Sequence, residues 1–375
     1  MAEVISINQI SKLKVNAEKQ GQSAATPPAI ARAVVKIKIF GIGGGGCSAI
    51  ERLVESDFTD VEMIAVNTDS RALSIFNGTA VHCLQIGATL TKNKGAGGKI
   101  DIGELAAKSD AERLKDLMKG ADMIFITATM GGGTGTGAAP VVAAIAKQLG
   151  ILTVGVVTYP FGFEGNRKQR IANEGIAKMQ ANMDALVVVK NDNLMKLPEN
   201  RSLTVVDAFN AADTVLQQAI RCIAELILTT GFINVDFADV KTIFQQSTSS
   251  DAILGIGRSN ISAVKAVQQA LESPLIDRSL KDSRGMILNI TADENLTLYE
   301  VSEATDYIVS QTEGDVNIIF GVVIDKKMNG IIQAMLIATD FADSLAFKAP
   351  ENSIPRARVI PDNRNIISPF NFPHK

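Results

Sequence analysis

"ATMGGGTGTGAAP", residues 128–140, holds five glycines and three threonines and carries no charged side chain. It follows the apolar run ADMIFITAT (121–129) and leads into the helix-like segment APVVAAIAKQLG (139–150). Glycine lets backbone N–H groups approach a phosphate closely, and a helix N-terminus adds the positive end of its dipole. Thr134 and Thr136 add hydroxyl donors without adding charge. The stretch therefore predicts a loop that binds anionic oxygens.

A second glycine-rich turn, GIGGGG at residues 41–46, follows the β-branched run Val34–Phe40, which we predict to be a strand. A helix with one apolar face is predicted after the turn, formed by Ala49, Ile50, Leu53 and Val54. Ligands of doubly wound sheets bind at the carboxyl ends of the strands, where helix N-termini point. Both glycine turns occupy such positions. This favours a phosphate-binding site over the alternative that the glycines only form tight corners between strands and helices.

The rest of the N-terminal part alternates short apolar runs with helix-like stretches. Near-continuous apolar strands that alternate with helices indicate a parallel, doubly wound sheet, and hence an α/β fold. Further strands are predicted at residues 61–69, 121–129, 151–160 and 184–192.

Helical periodicity then continues over about 203–229, which predicts a helix roughly 40 Å long. Three later apolar runs, at 284–292, 316–325 and 331–340, predict a second, smaller α/β unit. The predicted organisation is a flexible arm, a first domain that includes the long helix, a second domain and a short flexible tail. Their ranges are 1–33, 34–229, 230–342 and 343–375.

Composition excludes several classes of protein. With 37 basic and 40 acidic residues, the net charge of −3 does not suggest a nucleic-acid partner. The three cysteines do not fit a disulfide framework, and they favour a reducing compartment. The two histidines are too few for a histidine metal centre. We expect Cys83 and Cys222 to pack in the interior. No apolar run is long enough to cross a membrane, and the start lacks a signal-peptide layout, so we expect a cytoplasmic protein.

Two other nucleotide-binding folds compete with this interpretation. The first glycine turn alone resembles a dinucleotide fingerprint, but Asn67 stands where a ribose-binding acid is expected, and the loop 131–137 has no role in that fold. A P-loop needs a lysine followed by serine or threonine. The nearest stretch, GAGGKI (95–100), has Lys99 followed by Ile100 and lacks the first glycine.

Several motifs together resemble the tubulin/FtsZ GTPase superfamily, and FtsZ in particular: GGGTGTG, FGIGGGG, IAVNTDSRAL, PFGFEG, DAF and NVDFADV. The similarity runs from about Val35 to Phe341. It implies a Rossmann-like GTP-binding domain with a parallel sheet, a long central helix and a second smaller α/β domain. It also implies a GTPase that polymerises head-to-tail and forms the cytokinetic ring of a prokaryotic cell, with GTP or GDP as ligand and with Mg²⁺.

The resemblance also assigns the ligand-binding residues. Glu164 would bind the ribose, Phe209 would stack on the base, and Lys168 aligns with an arginine near the phosphates. Asp213 would face guanine, whose adjacent N1–H and N2–H₂ donors one carboxylate can accept, whereas adenine would leave Asp213 unpaired. The residues implied around the phosphates are Gly44, Gly45, Gly46, Cys47, Ser48, Gly133, Thr134 and Gly135.

The resemblance places the chemistry in NVDFADV (234–240). Asp236 and Asp239 would orient the attacking water on the γ-phosphate of the next subunit, and Asn234 would hold the loop or the water. Without the family, two acids at a helix start are usually just favourable capping. Head-to-tail contacts of this kind are heterologous and build filaments of identical subunits.

The sequence departs from the family in five places. Lys99 and Ile100 stand where Asn-Pro is usual, and residues 241–257 replace a pattern rich in Gly, Ala and Met. Cys47 and Ser48 replace two asparagines, Lys168 replaces the arginine, and the tail lacks the usual peptide for membrane tethers. ISPFNFP (367–373) is a substitute anchor for adaptor proteins in one interpretation and an unselected tail in another. The departures leave a second hypothesis, a paralogue that binds nucleotide and acts as a structural or regulatory filament partner with little hydrolysis.

Overall fold

The computed structural model describes residues 35–56, 58, 60–196, 202–229, 233, 235–247, 249–273, 275–276, 279–281, 283–312 and 316–341. The predicted arm (1–33), the predicted tail (343–375) and Asn234 lie outside these described residues.

Ten strands form one sheet in the order β3-β2-β1-β4-β5-β6-β7-β10-β8-β9. β10 runs antiparallel to both of its neighbours, and every other neighbouring pair is parallel. The strands are β1 (Ile37–Ile42), β2 (Glu62–Asn67), β3 (His82–Gln85), β4 (Met123–Thr129), β5 (Leu152–Tyr159), β6 (Ala185–Lys190), β7 (Asp251–Ser259), β8 (Ser283–Ala292), β9 (Asn317–Ile324) and β10 (Ile332–Phe341).

Helices connect the strands and cover both faces of the sheet. Within the described residues, three short 3₁₀ turns accompany them at Ser74–Phe76, Gly162–Glu164 and Lys326–Met328. The α-helices are α1 (Gly43–Glu55), α2 (Ser70–Leu73), α3 (Ala88–Thr91), α4 (Ile100–Ser109), α5 (Ala111–Met118), α6 (Gly133–Gln148), α7 (Asn166–Gln180), α8 (Asn191–Leu194), α9 (Val205–Leu228), α10 (Phe237–Gln246), α11 (Ala263–Leu271) and α12 (Leu298–Ser310).

The sheet has an apolar core on each face because successive side chains of a strand point to opposite sides. In β1, Ile39 packs in the core beneath α1, α9 and α10, whereas Phe40 packs in the core beneath α4 to α7. A third core joins α11 and α12 to β8 and β10. The predicted α/β fold, with a parallel sheet and a smaller second unit, is confirmed.

Strands were predicted well where both faces are buried, because a buried strand is apolar along its whole length. The predictions for β2, β4, β5, β6, β8, β9 and β10 are confirmed. The prediction for the first strand was wrong at its boundaries. It spans Ile37–Ile42 and so continues two residues beyond Phe40, because Gly41 and Ile42 still pair with Thr127 and Ala128 of β4.

Two strands escaped prediction. β3 is an edge strand of four residues with polar, exposed positions, and Cys83 within it is exposed, so the expectation that Cys83 is interior was wrong. Cys222 is buried, as expected. β7 contains two glycines, and each lies close to the backbone of α11, where Cβ atoms would not fit. Glycine in a strand weakens the sequence signal for it.

The long helix α9 packs against α1, β5 and β6 on one face of the sheet. It was predicted at about 203–229 and spans Val205–Leu228, with the Thr204 hydroxyl accepting a 3.2 Å hydrogen bond from the Asp207 N–H at its start. A buried face that includes Leu216, Ile220 and Ile223 faces the core. No helix in the described part of the chain is long and apolar enough to span a membrane.

Candidate nucleotide-binding and catalytic site

The two glycine-rich turns meet at the carboxyl ends of β1 and β4, which are adjacent strands. α1 begins at Gly43 directly after β1, and α6 begins at Gly133. Gly43 has a φ of +74°, and a Cβ there would lie 2.8 Å from the backbone nitrogen of Gly135. Only glycine combines that conformation with so close an approach. The N-termini of both helices therefore point into one place.

A cavity of about 250 Å³ opens at this point. Its lining includes seven residues that the sequence analysis assigned to ligand binding, among them Glu164 and Lys168. It also includes residues 129–132, which the assignment left out although they continue the same glycine-rich loop. The lining residues are Gly44, Gly45, Thr129, Met130, Gly131, Gly132, Gly133, Thr134, Gly135, Glu164 and Lys168.

The phosphate loops are packed so tightly that side chains are excluded at defined positions. A Cβ on Gly45 would overlap the Thr129 hydroxyl, and a Cβ on Gly46 would lie 2.6 Å from the Thr127 carbonyl oxygen. At Gly44, by contrast, a Cβ would meet nothing within 4 Å. Gly45 and Gly46 thus allow α1 to sit on β4, while Gly44 faces open space at the cavity.

The two threonines of GGGTGTG have different surroundings. The Thr136 hydroxyl is buried and accepts a 2.9 Å hydrogen bond from the Gly131 N–H, which closes the loop on itself. The hydroxyl of Thr134, which lines the cavity, lies 2.7 Å from that of Thr68 after β2. Thr136 therefore supports the loop from below, and only Thr134 is placed to reach a ligand.

Cys47 and Ser48 direct their side chains away from the cavity lining. The Cys47 thiol is buried and accepts a hydrogen bond from the Asn67 side-chain amide, and burial raises its pKa to about 12. The Ser48 hydroxyl donates a 3.3 Å hydrogen bond to the Gly44 carbonyl oxygen. Neither residue lines the cavity, and both lie beyond the first four residues of α1, so helical hydrogen bonds already use their backbone N–H groups.

Glu164 and Lys168 form a pair at one end of the cavity. One Glu164 carboxylate oxygen accepts a 2.9 Å hydrogen bond from the Phe161 N–H, and the other accepts a 2.7 Å bond from the Lys168 ammonium. The Glu164 side chain is 9% exposed, whereas that of Lys168 is 51% exposed. Lys168 is therefore the member of the pair that can turn toward an anion.

Three phenylalanines form an aromatic cluster beside this end of the cavity. The rings of Phe161 and Phe163 stack with centroids 5.1 Å apart, and Phe209 of α9 meets both edge-on at 5.3 and 6.2 Å. Phe163 is 67% exposed, although the sequence analysis did not single it out. The PFGFEG motif was the available signal, since it places two aromatic rings next to Glu164.

Asp213 lies one helical turn beyond Phe209, in partly buried surroundings. Burial raises the pKa of its carboxyl group to about 6, with the positive charge of Arg52 opposing the shift and the negative charge of Glu51 adding to it. No described residue donates a hydrogen bond to it. A hydrogen-bond acceptor that is partly removed from water and has no donor destabilises the folded protein, unless a ligand supplies the donor.

The two candidate catalytic acids lie elsewhere in the molecule. Asp236 is the N-cap residue of α10 and Asp239 is in its first turn, as predicted for a segment that opens a helix. Both are exposed, and the Asp236 side chain makes no capping hydrogen bond, so simple capping does not account for it. Ile233, just before them, pairs through backbone hydrogen bonds with Val322 of β9.

The separation of the acids from the cavity follows from α9 and the sheet order. From Phe209 to Leu228 the helix rises about 28 Å. α10 then packs on β8, β9 and β10, whereas the cavity lies at β1 and β4. Four strand spacings, about 19 Å, separate β4 from β10. Asp236 and Asp239 therefore do not reach the cavity of their own chain.

No group of three or more His, Cys, Asp or Glu residues that could hold a metal ion occurs in the described part of the chain. The cavity lining contains one acid, Glu164, and both of its oxygens already have partners. Mg²⁺ typically binds through one or two protein ligands together with phosphate oxygens and water. The cavity lining therefore offers no free carboxylate, and a Mg²⁺ ion there would take its ligands mainly from the nucleotide phosphates and water.

Comparisons with known proteins agree with this geometry. Residues 36–199 match the model of the Tubulin/FtsZ family GTPase domain, and residues 250–342 match that of the FtsZ family C-terminal domain. The empty FtsZ dimer of M. jannaschii is 37% identical, with 89% of this chain and 92% of that chain covered and a TM-score of 0.76. The chain belongs to the FtsZ family.

Membership of this family implies binding of GTP and GDP and, in general, GTPase activity. A point mutant of the same M. jannaschii FtsZ gives a similar match, at 36% identity, 90% and 96% coverage and a TM-score of 0.77. CetZ2 from Haloferax volcanii, described as a GTPγS-bound protofilament, is 21% identical over 83% of this chain and 95% of that chain, with a TM-score of 0.68. At that identity the match concerns the fold alone.

Proposed function

We propose that this protein is a GTPase that polymerises head-to-tail and completes its active site between neighbouring subunits of the filament. The observation that carries the proposal is the separation between the phosphate cavity at β1 and β4 and the exposed acids Asp236 and Asp239 at α10. A second copy is needed to bring the acids to the phosphates. A contact between two different faces repeats without closing and produces a filament.

In the proposed reaction, the amides of Gly44 and Gly45 and of Gly133 to Gly135 bind the phosphates, and Thr134 adds a hydroxyl donor. Phe209 and Asp213 bind the base, and Glu164 lies on the ribose side. A Mg²⁺ ion bound together with the nucleotide would neutralise phosphate charge. The incoming acids orient a water whose oxygen bonds to the γ-phosphorus while the bond from that phosphorus to the bridging oxygen breaks, which releases GDP and phosphate.

The site supports this reaction because phosphoryl transfer depends mainly on positioning and on electrostatic stabilisation. The two converging helix N-termini supply the electrostatic stabilisation. The acids of the neighbouring subunit position the attacking water. We further propose a place in the cytoplasm, in the ring that divides a prokaryotic cell, with adaptor proteins bound by the tail. The match to the FtsZ family C-terminal domain supports the place in the ring, whereas the tail lies outside both matched ranges.

Complementation between two inactive variants tests the shared site. Asp239→Asn keeps the nucleotide site and loses an acid, whereas Gly44→Leu places a side chain in open space at the cavity and keeps both acids. Each variant alone should hydrolyse GTP at least about 100-fold more slowly than the parent. A mixture should regain turnover, since acids of one variant meet GTP bound to the other. A mixture no more active than its components would contradict the shared site.

A second candidate function is a filament partner with little hydrolysis of its own. Two observations favour it, because both concern side chains that are engaged within the protein. The Ser48 hydroxyl donates a hydrogen bond to the Gly44 carbonyl oxygen, and the Lys168 ammonium pairs with the Glu164 carboxylate. Turnover per protomer against protein concentration, with light scattering in parallel, separates the two functions. Turnover and scattering that rise above the same threshold support the polymerising GTPase. Tight GTP binding with flat, near-zero turnover supports the filament partner.

A further inference from the structure

The outer side of β9 is a long, apolar edge of the sheet. β9 (Asn317–Ile324) is the terminal strand in the sheet order and pairs with β8 without a bulge. Its sequence, NIIFGVVI, contains no charged residue and no proline. Proteins usually protect a sheet edge with lysine, proline, a bulge or a very short strand. β9 has none of these features.

The backbone hydrogen bonds show which residues of β9 face outward. The Val322 N–H donates a 3.1 Å hydrogen bond to the Ile233 carbonyl oxygen, and the Ile233 N–H donates a 3.3 Å bond to Val322 in return. Val322 therefore faces away from β8. The N–H of Asp325, at an odd-numbered position, donates instead to the end of β8. Because this direction alternates along a strand, Ile318 and Phe320 also face outward.

Ile318 and Phe320 leave an open stretch of edge beside the bridge at Val322. Within the described residues, their outward N–H and C=O groups have no backbone partner. Their side chains pack against the third core and are only partly buried. The bridge between Ile233 and Val322 is antiparallel, so the edge already accepts a chain that runs in the opposite direction. Residues 317–320 thus present a surface for an added antiparallel strand.

The other edge of the sheet is protected. It is formed by β3 (His82–Gln85), which has only four residues. The Gln85 carbonyl oxygen accepts a 3.1 Å hydrogen bond from the Arg113 guanidinium group. A short strand and a charged side chain over its backbone are two of the usual protections of an edge. The contrast singles out the β9 edge as the one suited to strand addition.

A second copy of this chain fits the open stretch 317–320. Two copies related by a two-fold axis place their β9 strands antiparallel, so the outward backbone groups of one copy lie opposite those of the other. Like charges that face each other across two strands are destabilising, and β9 has no charge to cause such repulsion. The contact would also cover the partly buried side chains of Ile318 and Phe320 in both copies.

The size of this contact determines when it forms. Four residues from each copy make an interface far smaller than the roughly 1,200 Å² that stable interfaces bury. Single protomers therefore do not pair through it. Subunits in two neighbouring filaments repeat the contact, and each contact raises the effective concentration for the next one. Pairing through β9 thus depends on filaments that have already formed.

We infer that the β9 edge, through Ile318 and Phe320, joins two filaments of this protein side by side. The inference rests on the filaments of the proposed function. The proposed head-to-tail contact joins two different faces of the subunit, whereas the β9 edge pairs with itself. A contact of that symmetric kind does not lengthen a filament. The β9 edge therefore adds a lateral contact to the longitudinal one.

Ile318→Pro tests the inference because it removes one outward N–H group. Proline is tolerated in an edge strand where its nitrogen faces solvent, so the pairing of β9 with β8 should persist. Electron microscopy of the full-length protein with GTP should show paired filaments for the parent. The variant should show at least about 3-fold fewer pairs per filament length, with GTP turnover within about 2-fold of the parent.

Asn317→Lys is a second variant that leaves every backbone group of β9 in place. Asn317 is exposed at the start of the strand, so a lysine there should not disturb folding. It brings like charges together where two edges meet and should also reduce pairing at least about 3-fold. Raising the salt concentration should restore pairs in Asn317→Lys, because salt screens the repulsion, and should not restore them in Ile318→Pro.

His82→Lys is the matched control, since His82 is the exposed first residue of the other edge strand. It should form pairs as often as the parent. The inference is overturned if the parent forms only single filaments, if both β9 variants pair as often as the parent, or if His82→Lys loses pairs to the same extent. Each of these results leaves the polymerising GTPase standing. A parent that forms no filaments with GTP would instead overturn the proposed function.

Discussion

The hydroxyl oxygens of Thr68 and Thr134 lie 2.7 Å apart in the protein interior, and they connect the loop after β2 to the first turn of α6. The Thr68 carbonyl oxygen also accepts a 3.1 Å hydrogen bond from the Thr91 hydroxyl at the end of α3. Three loops around the cavity are thus joined at one residue. Of these three threonines, Thr134 alone lines the cavity. Thr68 therefore positions Thr134 and is not expected to contact the ligand itself.

Thr68→Val should destabilise the protein and weaken nucleotide binding. Valine has nearly the same shape but leaves the buried Thr134 hydroxyl without its partner, which costs about 1–3 kcal/mol. Urea unfolding measures the stability, and titration with GTPγS measures the affinity. Thr68→Ser keeps the hydroxyl and should retain most of both. A valine variant as stable as the parent would show that the bond contributes little.

Substitution by alanine should affect stability differently at the adjacent residues Gly45 and Gly44. Gly45→Ala places a methyl group on the Thr129 hydroxyl, and the resulting shift of α1 from β4 should cost about 1–3 kcal/mol. Gly44→Ala meets no atom within 4 Å, and alanine is the better helix former, so its stability should equal or exceed that of the parent. Chemical denaturation of the two variants checks the difference. Equal stabilities would mean that the contact at Thr129 relaxes freely.

Asp213 should make the nucleotide-free protein less stable as the pH rises. The pKa of its carboxyl group is about 6 in the folded protein against an ordinary value of 3.8, because burial disfavours the charge. The folded state therefore binds this proton more tightly than the unfolded state. The resulting stabilisation is fully present below about pH 4 and is lost as the pH rises through about 6.

Asp213→Asn removes the ionisable carboxyl group, and with it the loss of stability at rising pH. We expect the nucleotide-free variant to be about 1–2 kcal/mol more stable than the parent at pH 7, after allowance for partial exposure, and nearly equal to it at pH 4. Its affinity for GTP should nevertheless fall, because an amide cannot accept both guanine donors as a carboxylate does. Thermal unfolding at the two pH values and GTP titration measure these effects. A variant less stable at pH 7 would contradict the burial argument.

Asp236→Asn and Asp239→Asn should separate binding from catalysis. Both residues are exposed and lie away from the cavity, so affinity for GTP at low protein concentration should stay within about 2-fold of the parent. Turnover above the assembly threshold should fall by about 100-fold or more. Asp306→Asn, on the exposed side of α12, is the control and should hydrolyse GTP normally. Unchanged turnover in both acid variants would remove these residues from the mechanism.

The three cysteines should react with iodoacetamide in an order set by burial. Cys83 is exposed and should be modified first in the folded protein. Burial raises the pKa of both Cys47 and Cys222 to about 12, so their thiols stay protonated and covered at neutral pH. Mass spectrometry of the digested protein gives the order. Early labelling of Cys47 would show that the phosphate loop opens readily in solution.

Local pattern was enough to predict the parts of the fold that are formed by neighbouring residues in sequence. Glycine-rich stretches between apolar strands and helices predicted where the phosphate site lies, because such patterns are read over short windows. The buried parallel strands were predictable for the same reason. β3 and β7 were not, because an exposed edge strand and a glycine-containing strand are stabilised by partners distant in sequence rather than by their own composition. The predicted helix starts were wrong, since α1 begins at Gly43 and α6 at Gly133, inside the stretches predicted as turn and loop.

What the sequence by itself determined is the set of groups available for phosphate binding: glycine-rich segments that expose amides, threonine hydroxyl groups, and the pair of acids in NVDFADV. Only the tertiary structure decided how these groups are placed. Long-range packing buries Asp213 enough to raise its pKa, pairs Glu164 with Lys168, and sets Lys99 against Gly133. It also separates Asp236 and Asp239 from the cavity by the length of α9. Burial and distance depend on the whole chain, and local sequence therefore does not specify them.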